Sequence, residues 1–239
     1  MGRGYAAILI AALAGATTAG AYPVPVDFGG KLVRWDINSP DTLLYYEVVN
    51  ESSLADSTAF NMVQSAAGLW SAVDGSLLRL AETLDTAQNP AQITIHFQSN
   101  FDGGSFAAAY ASFDRTDDKG RPSHCLVNVA IRGGEALGDL EKTVLHELGH
   151  CLGLGHSLFP RAIMSYRLEQ NSFQLDVDDE AALRGLYPVD GAEPAIPPGC
   201  VVGHQRSAAA EHGVIIDLLW ILLFSVIPMS RLTRRLLQG

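Results

Sequence analysis

His146-Glu147-Leu148-Gly149-His150-Cys151-Leu152-Gly153-Leu154-Gly155-His156 is the stretch on which the fold and the chemistry turn. His146 and His150 are four positions apart, so on a helix both imidazoles share one face, one turn apart, within reach of a single ion. Glu147 is offset around the helix, beside such an ion rather than aimed at it, which suits a base acting on the attacking water. Gly153 can take the positive φ that stops a helix abruptly. The chain then turns back and offers His156 as a third nitrogen ligand. Three neutral histidines leave the fourth position of a tetrahedral zinc open, as catalysis requires. By chance such a pattern is expected in about three of 100,000 chains of this composition. Plain surface histidines are therefore a poor account of it, and Glu147 argues against a metal site without catalysis.

Working outward, Asp139 is placed to cap the helix that runs through Cys151, with Val144, Leu145, Leu148, Cys151 and Leu152 on its buried face. Residues 42–49 are rich in β-branched and aromatic types and predict a strand. Asp56 then stands as an N-cap, and Ala59, Phe60, Val63, Ala66, Ala67, Trp70 and Val73 recur at helical spacing as far as Asp74-Gly75. Further strands are predicted over 92–97, 106–113 and 125–131. Asp178 is placed to cap a last helix, Asp179 to Leu186, stopped by Pro188.

The ends of the chain are of a different composition. Residues 1–21 run from Arg3 through an apolar stretch to Ala19-Gly20-Ala21, the pattern of a cleaved secretory signal. Residues 189–213 are Pro-, Gly- and Ala-rich, a linker. Residues 214–239 form an apolar tail, broken by Asp217 and followed by Arg231, Arg234 and Arg235, which predicts a short membrane segment with its basic end in the cytoplasm. The working domain is thus 22–188, exported and facing away from the cytoplasm. Either it stays anchored in the membrane, or the tail is a sorting tag removed by a membrane protease, with Pro198-Gly199-Cys200 near the processing region, and the body reaches the cell surface. Residues 22–190 carry 11 Lys+Arg and 23 Asp+Glu, an acidic balance that speaks against nucleic acid as a partner. Export permits a disulfide between Cys125, in the strand before the motif helix, and Cys151, on that helix's buried face; two small buried hydrophobes are the other reading. His96, His124, His204 and His212 show no ligand spacing with the motif.

The long histidine motif followed by Ser157 resembles the metzincins and, within them, the matrixins, the group of the matrix metalloproteinases. Ala162-Ile163-Met164-Ser165 is similar to the family's Met-turn, which implies that Met164 lies beneath the metal. Ala67-Gly68-Leu69-Trp70-Ser71 looks like the end of the family's first helix, and Asp178-Asp179 through Leu186-Tyr187 like its closing helix. Ile93 to Phe97 and Gly104 to Ala111 look like its central and edge strands. The likeness spans about residues 31 to 188. Asp102-Gly103-Gly104 resembles part of a family calcium loop, with Asp114, Asp117 and Asp118 as further carboxylates, so calcium is a candidate second ion. Gln98-Ser99-Asn100 and Ala107-Ala108-Ala109-Tyr110 stand where the family places histidines for a structural zinc, and that second zinc is expected to be absent. No segment before the domain resembles the family's Cys-bearing propeptide, and Tyr166 departs from the family pattern after the Met-turn.

The expected fold class is α+β: a twisted, mostly parallel sheet, an upper helix packed on it, the zinc helix below and a small C-terminal lobe. The expected function is zinc-dependent endopeptidase action on a protein or peptide, with His146, His150 and His156 as ligands and Glu147 as general base. A zinc-stabilised binding module without catalysis, or a surface adhesin, is the alternative; hydrolysis blocked by a chelator separates the readings.

Overall fold

Alternating apolar residues build the sheet. In the computed structural model, strand β4 (Ile93–Gln98) turns Ile93, Ile95 and Phe97 fully inward and Thr94, His96 and Gln98 outward. The structure describes residues 32–99, 108–166 and 173–190, with Ala192 and two two-residue strands, β1 (Val24–Pro25) and β7 (Val201–Val202), which pair with each other. The main sheet contains β2 (Leu44–Glu51), β3 (Leu80–Glu82), β4, β5 (Ala109–Phe113) and β6 (Cys125–Ala130), in the order β3-β2-β4-β6-β5. All neighbours run parallel except β5, which lies antiparallel to β6 at the edge. The three-residue strand β3 has no sequence period long enough to announce it, and the reading of the sequence missed it.

Helix α1 (Asp56–Ser71) lays Ala59, Met62, Val63, Ala66, Ala67 and Trp70 on the core. Its N-cap is Ala55, not Asp56. Asp56 is instead the first helical residue, and its carboxylate accepts from Asn50 Nδ2 at 2.7 Å. An acid there still meets the positive end of the helix dipole, which is why it imitates a cap in the sequence. The same correction applies to α2 (Leu137–Cys151), capped by Ala136 with Asp139 inside its first turn. Helix α3 (Val177–Leu186) is capped by Asp176, which forms a capping box with Asp179.

Helices α1 and α2 meet through the Trp70 indole, which donates to the Leu145 carbonyl at 3.0 Å. The end of α2 is tied to remote parts of the chain. The Trp35 indole donates to the Cys151 carbonyl at 2.7 Å, and the Tyr187 hydroxyl donates to the Leu152 carbonyl at 2.8 Å. These bonds satisfy carbonyls that a helix terminus leaves without intrahelical partners. Cys125, the first residue of β6, and Cys151, the last of α2, form a disulfide with Cα atoms 5.7 Å apart.

Segments 1–21 and 214–239, most of 189–213 and Asp102-Gly103-Gly104 lie outside the described residues. No helix among the described residues is long and apolar enough to cross a membrane.

Candidate metal centre

His146 and His150 lie on the last turns of α2, facing the same way. The helix ends at Cys151 with Leu152 as its C-cap, and Gly153 takes φ +88°, the left-handed turn that only glycine adopts without strain. A Cβ at Gly153 would also sit 2.5 Å from the Val33 carbonyl oxygen. The turn is closed by Gly153 N–H to His150 O and Leu154 N–H to Gly149 O, at 2.9 and 3.1 Å. It carries the chain back so that His156 joins the other two, and one nitrogen from each of the three rings lies within 4.8 Å of the others.

Each helix histidine is oriented by its second nitrogen. Nδ1–H of His146 donates to the Ile163 carbonyl at 2.7 Å, and Nδ1–H of His150 donates to the Leu154 carbonyl at 2.8 Å. That fixes the tautomer and leaves both Nε2 lone pairs facing the common centre. Nε2 of His150 and of His156 are 3.2 Å apart. Ligands on a tetrahedral zinc at about 2.0–2.1 Å stand roughly 3.3 Å from one another. Burial, then the neighbouring rings, pushes His150 down to about 3 and His156 down to about 4; burial also lowers His146. Neutral imidazoles with converging lone pairs fit a borderline metal such as zinc.

Glu147 follows His146 on α2 and is offset from it around the helix. Burial pushes its carboxyl up to about 7, against the Ala111 backbone N–H, which donates to it and pulls the other way. A carboxyl poised there accepts a proton at neutral pH and can return it. Ala111 sits on edge strand β5. Ala108 O and Asp114 N–H bond toward β6, so by alternation the peptide groups of Ala109, Ala111 and Phe113 face the open edge.

Met164 is buried and packs so closely on α2 that a Cβ at Gly149 would collide with its sulfur and fall 2.9 Å from the Trp70 ring. Glycine at 149 is therefore a packing requirement. The turn 162–165 is held by a residue that the sequence reading placed only as a helix start. Asp179, buried, accepts from the backbone N–H of Ile163 at 2.8 Å, of Met164 at 3.0 Å and of Asp176 at 2.8 Å. Burial raises its pKa despite those three donors, and Asp178 beside it adds to the rise. Asp178 accepts from the Ser157 hydroxyl, tying the residue after the third histidine to α3. Adjacent acids at a helix start look like dipole partners in a sequence, so nothing there announced a clamp. Tyr166, half exposed beyond the turn, lies against His156 with ring centroids 4.4 Å apart.

The other histidines stand apart. Nε2 of His96 meets Glu51 at 3.0 Å, and His124 lies between Thr94 and Asp114 on the outer face of the sheet. His204 and His212 lie outside the described residues. Asp117 takes backbone N–H groups from Lys119 and Arg121 at 2.8 and 2.9 Å, which occupies one of the carboxylates considered for calcium.

The matrixin family model matches residues 34–188. Among individual proteins, the hatching enzyme of Paracentrotus lividus is 29% identical over 174 residues, covering 69% of this chain and 28% of its own. Metalloendoproteinase 2-MMP of Arabidopsis thaliana is 28% identical over 191 residues, 72% of this chain and 48% of its own. Karilysin of Tannerella forsythia is 31% identical over 157 residues, 61% of this chain and 32% of its own. The chain thus spans less than half the length of each of these relatives.

Proposed function

The chain belongs to the matrixin family, and from that premise we propose that it is a zinc-dependent endopeptidase acting on proteins or peptides. The observation that carries this is the convergence of the three histidines beside Glu147. His146, His150 and His156 would hold one zinc, whose Lewis acidity polarises the scissile carbonyl and acidifies the attacking water. Glu147 takes the proton of that water and passes it to the leaving amine, a cycle suited to a carboxyl near 7. The substrate lies extended along β5, where the outward peptide groups of Ala109 and Phe113 continue the sheet onto it. A strand-like substrate implies an unfolded or looped segment of the target protein.

The test is metal analysis and hydrolysis of a general protein substrate by the purified chain. One zinc per chain is expected, with cleavage abolished by a chelator. Glu147→Ala should keep the zinc, because Glu147 is not a ligand, and lose at least about 10² in rate. Cleavage by that variant at the parent's rate would refute the assignment of the base. Absence of any hydrolysis with zinc bound would favour the non-catalytic binding module.

Export and membrane placement rest on residues 1–21 and 214–239 alone. We extend the proposal to a catalytic body outside the cytoplasm, tethered or released after processing of the tail. Fractionation checks it. Full-length chain in the membrane supports an anchor, and a chain shortened near Cys200 supports processing. Soluble protein that retains 214–239 rules out both.

A further inference from the structure

The disulfide joins the helix that carries His146 and His150 to the sheet. Cys151 directly follows the ligand His150 and precedes His156 by five residues, across the Gly153 turn. Its partner Cys125 opens β6, a strand paired on both sides, to β4 and to β5. β5 in turn supplies the Ala111 N–H that meets Glu147. The bridge therefore joins the ligand-bearing end of α2 covalently to the sheet that carries the contact of the base. The side chains of Trp35 and Tyr187 each add a single hydrogen bond at this helix end.

Both sulfurs are fully buried. Bonded sulfurs lie well inside the non-bonded contact distance of about 3.5–4 Å. Once the bond is broken the two thiols must separate, and in a close-packed core the groups around them have to adjust. Strand β6 is hydrogen-bonded along both edges, whereas the end of α2 lies outside the sheet, so the helix end yields before the strand. A shift there displaces His150 and the turn that delivers His156, whose Nε2 atoms must stay near their 3.2 Å separation to share an ion.

We propose that Cys125 and Cys151 are positioning residues for the metal site: the disulfide form holds the three histidines at ligating distance, and the dithiol form does not. Metal affinity in this chain thus depends on its oxidation, and the protein becomes competent only after reaching an oxidising compartment. Forming the bridge takes two electrons from the two cysteine sulfurs. A donor disulfide accepts them: one cysteine thiolate attacks it to give a mixed disulfide, and the second displaces the donor sulfur. The donor leaves as two thiols that carry the two cysteine protons. The inference rests on reading the histidines as a zinc site.

The experiment compares the full chain in its disulfide form with the chain unfolded, reduced, refolded and freed of reductant. Zinc affinity is measured by chelator competition, the ligand-field spectrum by cobalt substitution, and the fold by far-UV circular dichroism. The dithiol form should keep its helices, bind zinc about 10–100-fold more weakly, as when a partner orienting a ligand is lost, and show an altered cobalt spectrum, all restored on reoxidation. Cys125→Ala, which has no bridge to break, should bind zinc equally before and after the same treatment. Equal zinc affinity in the two parent forms overturns the inference. So does global unfolding of the dithiol form, which makes the bridge a staple of the whole domain, or a loss in Cys125→Ala matching the parent's. If the disulfide form itself binds no zinc, the reading of the metal site fails instead.

Discussion

At the scale of the residue, the histidine cluster follows from spacings visible in the sequence, and the groups that hold it do not. His146, Glu147, His150 and His156 have fixed spacings, because a helix face and one turn dictate them. Asp179 has no such signature, since its three acceptor bonds go to backbone groups whose placement depends on the folded turn. Its effect reaches the site in two steps. Asp179 fixes the peptide of Ile163, and the Ile163 carbonyl orients His146 through Nδ1. Asp179→Asn replaces one acceptor oxygen by a donor facing backbone N–H groups. Each hydrogen bond to a charged group contributes about 1.5–3 kcal/mol, so the variant should lose at least that much stability. Its zinc affinity should fall about 10-fold or more, since partners that orient a ligating histidine act at that level. Chemical denaturation and chelator competition measure the two effects. An unchanged zinc affinity would show that Ile163 keeps its place without the carboxylate.

At the scale of the element, the long periodic segments were readable and their ends were not. The patterns of β2, β4, α1 and α2 come from burial of one face, which sequence periodicity records directly, and β6, buried on nearly all sides, reads as a short apolar run. Caps are a different matter. Ala55 and Ala136 occupy N-cap positions without a side-chain bond, while acids stand one and three residues inside. The dipole favours an acid anywhere in the first turn, so the residue type alone does not locate the cap. The C-terminal end of α2 was readable, because a sharp stop needs left-handed backbone at Gly153. Its supports, Trp35 and Tyr187, come from segments far away in sequence and carry no local signal. Gly153→Ala tests the turn. The left-handed conformation costs a non-glycine residue about 1–2 kcal/mol, and the new Cβ, 2.5 Å from Val33 O, adds an overpacking cost of about 1–3 kcal/mol. The expected outcome is a lower Tm together with weaker zinc binding, because relief of the clash moves the segment that delivers His156. Loss of stability with unchanged zinc affinity would separate the turn from the site.

At the scale of the whole molecule, burial keeps the three clustered histidines neutral, one fully and two partly buried, and this links folding to pH. In the metal-free chain the folded-state pKa values of His146, His150 and His156 all lie below the unfolded value of about 6.5. The unfolded chain therefore binds protons first as pH falls. Stability is full above about 6.5 and is lost progressively on the way down toward the folded values, about 4 for His156 and about 3 for His150. Each fully engaged group contributes a slope of about 1.4 kcal/mol per pH unit, and His156, the most open to water, contributes least. Glu147 acts in the opposite sense. Its folded value of about 7 lies above its unfolded one, so it favours the fold at low pH and opposes it as pH rises toward 7. Asp179 shares that sign, since burial raises its pKa. Between about pH 5 and 6.5 the histidines outnumber these acids, and most ordinary carboxylates remain ionised. The metal-free protein should therefore lose Tm steadily as pH is lowered from 6.5 to 5. Zinc binds only the neutral rings, so at pH 6.5 it should raise Tm strongly, and this increment should shrink as protons compete for the nitrogens. Thermal denaturation with and without zinc across that window is the measurement. A metal-free Tm that stays level from 6.5 to 5 would mean that the three rings are not held neutral by burial.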